Sequence, residues 1–222
     1  INTSSSNINI SYSYTNVFGC ENHTLDSTVI YNLPLINFGG LNNSYCINSN
    51  PSTLVGIPAG GTFFGSGVSG FLFNPSLASV GEDSIFYLYT DSHSCSAIDM
   101  QTTQINGVPV VSFSGLDSNY CINSNPSVMI GIPSGGSFTG GNMSGNLFFP
   151  NNAGEGIHQI IYSYSDFNGC TNYDSTITVV FSLPVVTFNP IDTIYCKNSQ
   201  PLTITGTPLG GSFYGSGVTG NL

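Results

Sequence analysis

Three stretches decide the reading: YCINSNPSTLVGIPAGGTFFGSGVSG from Tyr45, YCINSNPSVMIGIPSGGSFTGGNMSG from Tyr120 and YCKNSQPLTITGTPLGGSFYGSGVTG from Tyr195. They align without a gap at a spacing of 75 residues. Cys20, Cys95 and Cys170 form a second series at that spacing, and Leu33-Pro34, Val108-Pro109 and Leu183-Pro184 a third. A fixed period of this kind marks a tandem array. With the Pro dipeptides as junctions, residues 1–34 are the tail of one repeat, 35–109 and 110–184 are complete repeats, and 185–222 begin another.

Within each repeat the signals are those of strands. Ile10, Tyr12 and Tyr14 recur as Ile85, Tyr87 and Tyr89, and as Ile160, Tyr162 and Tyr164. Strict alternation puts three large side chains on one face of a half-buried strand. The turns Asn16 to Cys20, Asp91 to Cys95 and Asp166 to Cys170 each open on an Asx residue, which suits a hairpin. A Thr/Val/Ile-rich strand follows each of them, as from Ser175 to Phe181. Upstream, Ile36 and Phe38, Leu54 and Phe63, with their equivalents Val111, Phe113, Met129 and Phe138, mark shorter strands. No segment keeps a 3.6-residue period over ten residues. The expected fold is all-β: tandem immunoglobulin-like antiparallel β-sandwich repeats of 75 residues.

Composition narrows the function. Among 222 residues Lys197 is the only Lys or Arg, against 11 acidic residues, a net charge of −10. Nucleic-acid binding needs cations to neutralise phosphates, and so does adsorption to an anionic membrane, so neither is expected. No apolar run is long enough for direct membrane insertion as a helix. Aromatic and β-branched residues are plentiful, so the chain can bury a core despite its few charges.

The joint pattern Tyr-Cys-x-Asn-Ser-x-Pro, Pro-x-Gly-Gly-x-Phe, Gly-x-Gly-Val-x-Gly and Tyr-x-Tyr-x-Asp-x-x-Gly-Cys resembles the Ig-like repeats of Bacteroidetes surface proteins. The resemblance spans the whole chain. It implies a long extracellular, cell-surface adhesin exported by type IX secretion, of the kind that includes gliding-motility filament adhesins. Two local departures bear on loop conformation: Gly140-Gly141-Asn142-Met143 interrupts the Gly-x-Gly-Val element, and Ser94 replaces the turn glycine. The resemblance also implies O-glycosylation at Asp-Ser/Thr followed by an apolar residue or Thr, which makes Ser27, Ser84, Ser175 and Thr193 the candidate acceptors.

Six cysteines in a surface protein point to disulfides. Two registers are open. Within a repeat the pairs are Cys46–Cys95 and Cys121–Cys170, with Cys20 and Cys196 bonded outside these residues. Across junctions they are Cys20–Cys46, Cys95–Cys121 and Cys170–Cys196. In the second register the bonded residues flank two strands that run in line, which separates them by far more than the roughly 7 Å between Cα atoms that a disulfide allows. The within-repeat register is therefore preferred.

Other motifs carry less. Gly65 to Gly70 and Gly215 to Gly220 match a dinucleotide fingerprint, but no helix follows to hold a pyrophosphate, so turn glycines are expected and no cofactor. His23, His93 and His158 occupy unrelated repeat positions and read as surface-loop residues, not metal ligands. Asp91 and Asp166 stand alone in their loops and read as caps of an Asx turn, not calcium ligands. No nucleophile motif with a base appears, so no enzyme is expected. Two roles remain: a structural stalk or filament segment that spaces a distal binding tip from the cell, and a carbohydrate- or surface-binding module acting through exposed loops. Candidate partners are neighbouring repeats of the same chain, surface polysaccharide and other filament subunits.

Overall fold

The computed structural model describes residues 5–219. Nearly all of its regular structure is β, with only a 3-10 turn at Pro75–Leu77 and a four-residue helix at Pro150–Ala153. Gly220, the last residue of the second glycine motif, lies outside the described residues. Packing divides the chain into two units, one of Ile1–Val110 with Tyr164–Asn172 and one of Val111–Ser163 with Tyr173–Leu222.

Three long antiparallel hairpins dominate: Ser5–Thr15 with Glu21–Tyr31, Gly81–Thr90 with Ser96–Asn106, and Gly156–Ser165 with Thr171–Phe181. In the first unit the hairpin Gly81–Asn106 is flanked by two three-residue strands. Thr62–Phe64 pairs antiparallel with Phe86–Leu88, and Ser44–Cys46 pairs parallel with Gln104–Asn106. The second unit repeats the arrangement. Ser137–Thr139 runs antiparallel to Ile161–Ser163, and Asn119–Cys121 runs parallel to Val179–Phe181. Each four-stranded sheet is thus mixed, not purely antiparallel as the sequence suggested. The parallel partner arrives from a loop, not a hairpin turn, so no two-residue turn signal announces it.

Small sheets close the other face. Asn37–Gly39 pairs with Val55–Ile57, and Ser112–Ser114 with Ile130–Ile132. Between the layers of the first unit lie Phe38, Leu54, Phe63, Phe73, Ile85, Tyr87 and Ile105, all buried. Tyr120, Met129, Phe148, Ile160 and Val180 form the corresponding core of the second. Alternation therefore works as read: Ile85 and Tyr87, and Ile160 and Tyr162, are at most 1% exposed. The same positions of the first hairpin, Ile10, Tyr12 and Tyr14, are exposed, and residues 5–34 offer no counterpart of Phe38, Leu54 or Phe63 to cover them.

The two layers meet through a tyrosine laid on glycine. The Tyr87 ring packs so closely on Gly56 and Gly61 that a Cβ at Gly56 would come within 2.1 Å of it. Tyr162 does the same over Gly131 and Gly136. The Tyr87 hydroxyl accepts from the Gly61 amide at 2.9 Å and donates to the Pro58 carbonyl, whose peptide bond with Ile57 is cis. A buried phenol is stable only with such partners. We predict that Gly56→Ala destabilises the first unit by about 2 kcal/mol or more through overpacking. Gly39→Ala, whose Cβ meets nothing within 4 Å, should shift stability by less than about 0.5 kcal/mol. Thermal denaturation of the two variants decides this.

Candidate functional site

The cysteines sit at two kinds of place. Cys46, Cys121 and Cys196 follow a tyrosine that pins its own loop. The Tyr45 hydroxyl accepts from the Asn42 amide at 2.9 Å and meets Ser52 Oγ at 2.8 Å. Tyr120 repeats this with Asp117 and Ser127, and Tyr195 accepts from the Asp192 amide. A turn after the cysteine is closed by Ser49, whose Oγ accepts from the Cys46 amide at 3.1 Å, and likewise by Ser124 on Cys121 at 3.0 Å. The sequence Tyr-Cys-x-x-Ser is thus a device for presenting one thiol in fixed backbone geometry.

Cys20, Cys95 and Cys170 end the tips of the long hairpins. Asp91 Oδ1 accepts from the amides of His93 and Cys95, both at 2.9 Å, and Asp166 Oδ1 from those of Asn168 and Cys170, both at 2.9 Å. Asn16 caps Phe18 and Cys20 in the same way. The Asx-turn reading of these residues holds. Ser94 adopts φ 65°, the left-handed conformation that Gly19 and Gly169 take at 79°, so the turn survives the loss of its glycine.

The pairing of the cysteines differs from both registers considered. Cys46 bonds Cys170, with Cα atoms 5.4 Å apart and a sequence separation of 124. The expected pairs Cys46–Cys95 and Cys121–Cys170 are not formed; Cys95 and Cys121 are free, as are Cys20 and Cys196. Strand register supplies the reason. Cys46 lies beside Asn106, at one end of the strand Ser96–Asn106, while Cys95 immediately precedes its other end. An 11-residue strand spans roughly 35 Å at about 3.3 Å per residue, so the two cysteines of one repeat face opposite ends of their sheet.

The bond fastens the hairpin tip Tyr164–Asn172 to the unit that contains Cys46. Two hydrogen bonds flank it. Asn48 Nδ2 donates to the Thr171 carbonyl at 3.2 Å, and Asn172 Nδ2 to the Pro109 carbonyl at 2.9 Å. The Asn of the Tyr-Cys-x-Asn motif therefore has a role that spacing alone did not suggest. Cys170 is fully buried beneath this contact.

The remaining candidates are scattered. Gly65, Gly67 and Gly70 have positive φ and shape a turn that leads only to the three-residue helix at Pro75–Leu77. His93 stacks on Tyr31 with centroids 3.8 Å apart and its Nδ1 is 3.9 Å from Asp91 Oδ2. His23 and His158 lie in strands, not in the loops expected for them, and His158 Nε2 is 2.9 Å from the Gly154 carbonyl. Among the described residues no three His, Cys, Asp or Glu side chains gather as metal ligands would. Ser27, Ser175 and Thr193 are exposed, whereas Ser84 is half-buried in the strand Gly81–Thr90. A cavity of about 440 Å³ lies beside the Tyr31–His93 stack, walled by Leu33, Pro34, Ile57 and Tyr89.

No family model matches the chain, and no curated protein matches it. Among solved structures it is similar to a protein described as a Ca2+-stabilized adhesin that helps an Antarctic bacterium reach out and bind ice. Identity is 10%, the alignment covers 84% of this chain and 60% of that one, and the TM-score is 0.35. The chain thus spans less than two thirds of that neighbour, and a likeness at this score does not establish a common fold. Among the described residues no helix is long and apolar enough to cross a membrane.

Two outcomes test the site. Cys170→Ser should lower the stability of the first unit: closing 124 residues is worth up to about 5 kcal/mol in the chain-entropy model, with about 2–4 typical. Calorimetry with and without reductant measures it, and an unchanged melting temperature would refute it. Ser94→Gly should stabilise by roughly 0.5–1 kcal/mol, because glycine takes positive φ without the Cβ clash.

Proposed function

We propose that this chain is a stalk or filament segment of a long cell-surface adhesin, built from tandem immunoglobulin-like repeats and spacing a distal binding tip from the cell. The observation that carries this reading is the Cys46–Cys170 bond, which ties residues of one 75-residue period to the hairpin tip of the next. A pull along the backbone that would part the two must then break a covalent bond as well as hydrogen bonds. Disulfides persist in oxidising, extracellular surroundings, which suits an exported surface protein. A single cation in 222 residues leaves trypsin-like proteases one site to cut, an advantage for an exposed spacer. Export by type IX secretion and a part in gliding belong to the same reading through the motif resemblance. In this reading the chain is not an enzyme, needs no cofactor, and has neighbouring repeats and other filament subunits as its partners. O-glycans on the exposed Ser27, Ser175 and Thr193 would add to the protection; the half-buried Ser84 is the poorest acceptor of the four.

A second reading, a carbohydrate-binding module, is favoured by one observation: the cavity beside the stacked Tyr31 and His93. Aromatic faces of this kind suit the apolar faces of sugar rings, and surface polysaccharide would be the partner.

Single-molecule images of chains with increasing numbers of repeats separate the two. The stalk predicts particles whose length grows in proportion to repeat number and no saturable binding to polysaccharide. Globular particles would refute it, and saturable binding abolished by Tyr31→Ala would favour the module. Intact mass of the native protein tests the glycans: a mass equal to the bare polypeptide removes them.

A further inference from the structure

Cys46–Cys170 is the only disulfide among the described residues, and the sequence contains only one pair of cysteines related as these are. The pair combines a Tyr-Cys thiol with a hairpin-tip thiol 124 residues later, which is one 75-residue period plus the interval between Cys46 and Cys95. Applied forward from Cys121 or Cys196, or backward from Cys20 or Cys95, the same offset leads beyond residues 1–222. Within residues 1–222 this offset pairs Cys46 with Cys170 and no other cysteines.

Local geometry says that Cys95 and Cys121 are prepared as their bonded equivalents are. Cys95 ends a tip whose Asp91 cap matches the Asp166 cap at Cys170, with both pairs of bonds at 2.9 Å. Cys121 follows a pinned tyrosine and precedes a serine-closed turn that matches the turn at Cys46, at 3.0 against 3.1 Å. The parallel pairing that places Cys46 beside Asn106 places Cys121 beside Phe181. Neither thiol has a partner within its own repeat, for the reason of strand length given above.

We propose that Cys121 and Cys95 are opposite half-sites of further cross-links of the Cys46–Cys170 kind. Cys121 takes the hairpin-tip cysteine that stands one repeat beyond its own, and Cys95 the Tyr-Cys cysteine that stands one repeat before its own. The partner thiol comes from another repeat of the same chain or from a second copy. In the second case the pairs are Cys121 with Cys20 and Cys95 with Cys196. A binding module would carry the same staples, so this pairing rule and the stalk reading can fail separately.

Bond formation removes two protons and two electrons from each pair of thiols, and the acceptor is an oxidised dithiol protein. One thiolate attacks the acceptor's disulfide to give a mixed disulfide. The second thiolate then displaces the acceptor's sulfur, which leaves as a reduced dithiol once protonated.

The test is disulfide mapping of the native protein. Free thiols are alkylated at low pH without reductant, and the protein is digested with pepsin, since one Lys offers trypsin too little. We expect Cys46 with Cys170, Cys121 with a tip-type peptide, Cys95 with a Tyr-Cys-type peptide, and almost no alkylation of any of them. Electrophoresis without reductant distinguishes the sources: a single-chain band assigns both bonds to one chain, and a ladder that collapses on reduction assigns them to a second copy. Cys95 joined to Cys46 or to Cys121, Cys121 joined to Cys170, or both Cys95 and Cys121 recovered alkylated, would overturn the rule.

Discussion

The packing of one aromatic ring on two glycines holds each repeat together. Tyr87 projects from the long hairpin and lies on Gly56 of the opposite layer and on Gly61 of the turn that leads back to its own sheet, and Tyr162 lies in the same way on Gly131 and Gly136. A ring can come that close to a backbone only where no Cβ intervenes. The separation of the layers is therefore set by tyrosine and glycine together. The hydroxyl then fastens the ring to the turn that follows the strand bearing Gly56 or Gly131, through Gly61 N and Pro58 O in one unit and Gly136 N and Pro133 O in the other. Phe38, Phe63 and Leu54 fill the space that this spacer leaves around it.

Much of this was legible in the amino-acid sequence. Alternation at Ile85 and Tyr87 reports burial because a strand turns every second side chain to the same face. The Asx turns at Asp91 and Asp166 were legible because a short side chain caps amides only two and four residues away. What failed was longer-ranged. The parallel pairing of Ser44–Cys46 on Gln104–Asn106 leaves no local mark, since the two segments are joined through the rest of the repeat. Without that register, Cys46 and Cys95 could be imagined as neighbours across a sandwich. With it, strand length alone keeps them apart. The glycines under the tyrosines were equally hidden, because a close approach between layers leaves no trace in periodicity.

The disulfide gives the two kinds of cysteine their meaning. Each kind is held by a separate hydrogen-bonded turn, one closed by a serine and one by an Asx side chain, so the thiol is in position before its partner arrives. Preorganisation of this sort reduces the entropy lost on joining. The flanking bonds from Asn48 and Asn172 add direction to what sulfur alone would leave free to swivel.

The three-residue strands at the margins of each sheet have a further consequence. Exposed β-edges invite pairing with other chains, and proteins commonly deter this with lysines placed along the edge. This chain has a single lysine, at position 197, outside both four-stranded sheets. Brevity replaces charge as the deterrent. Ser44–Cys46 and Thr62–Phe64 cap the ends of the first sheet and are themselves too short to template a partner. Each four-stranded sheet can thus dispense with lysines at its margins and still offer little edge to a neighbouring strand.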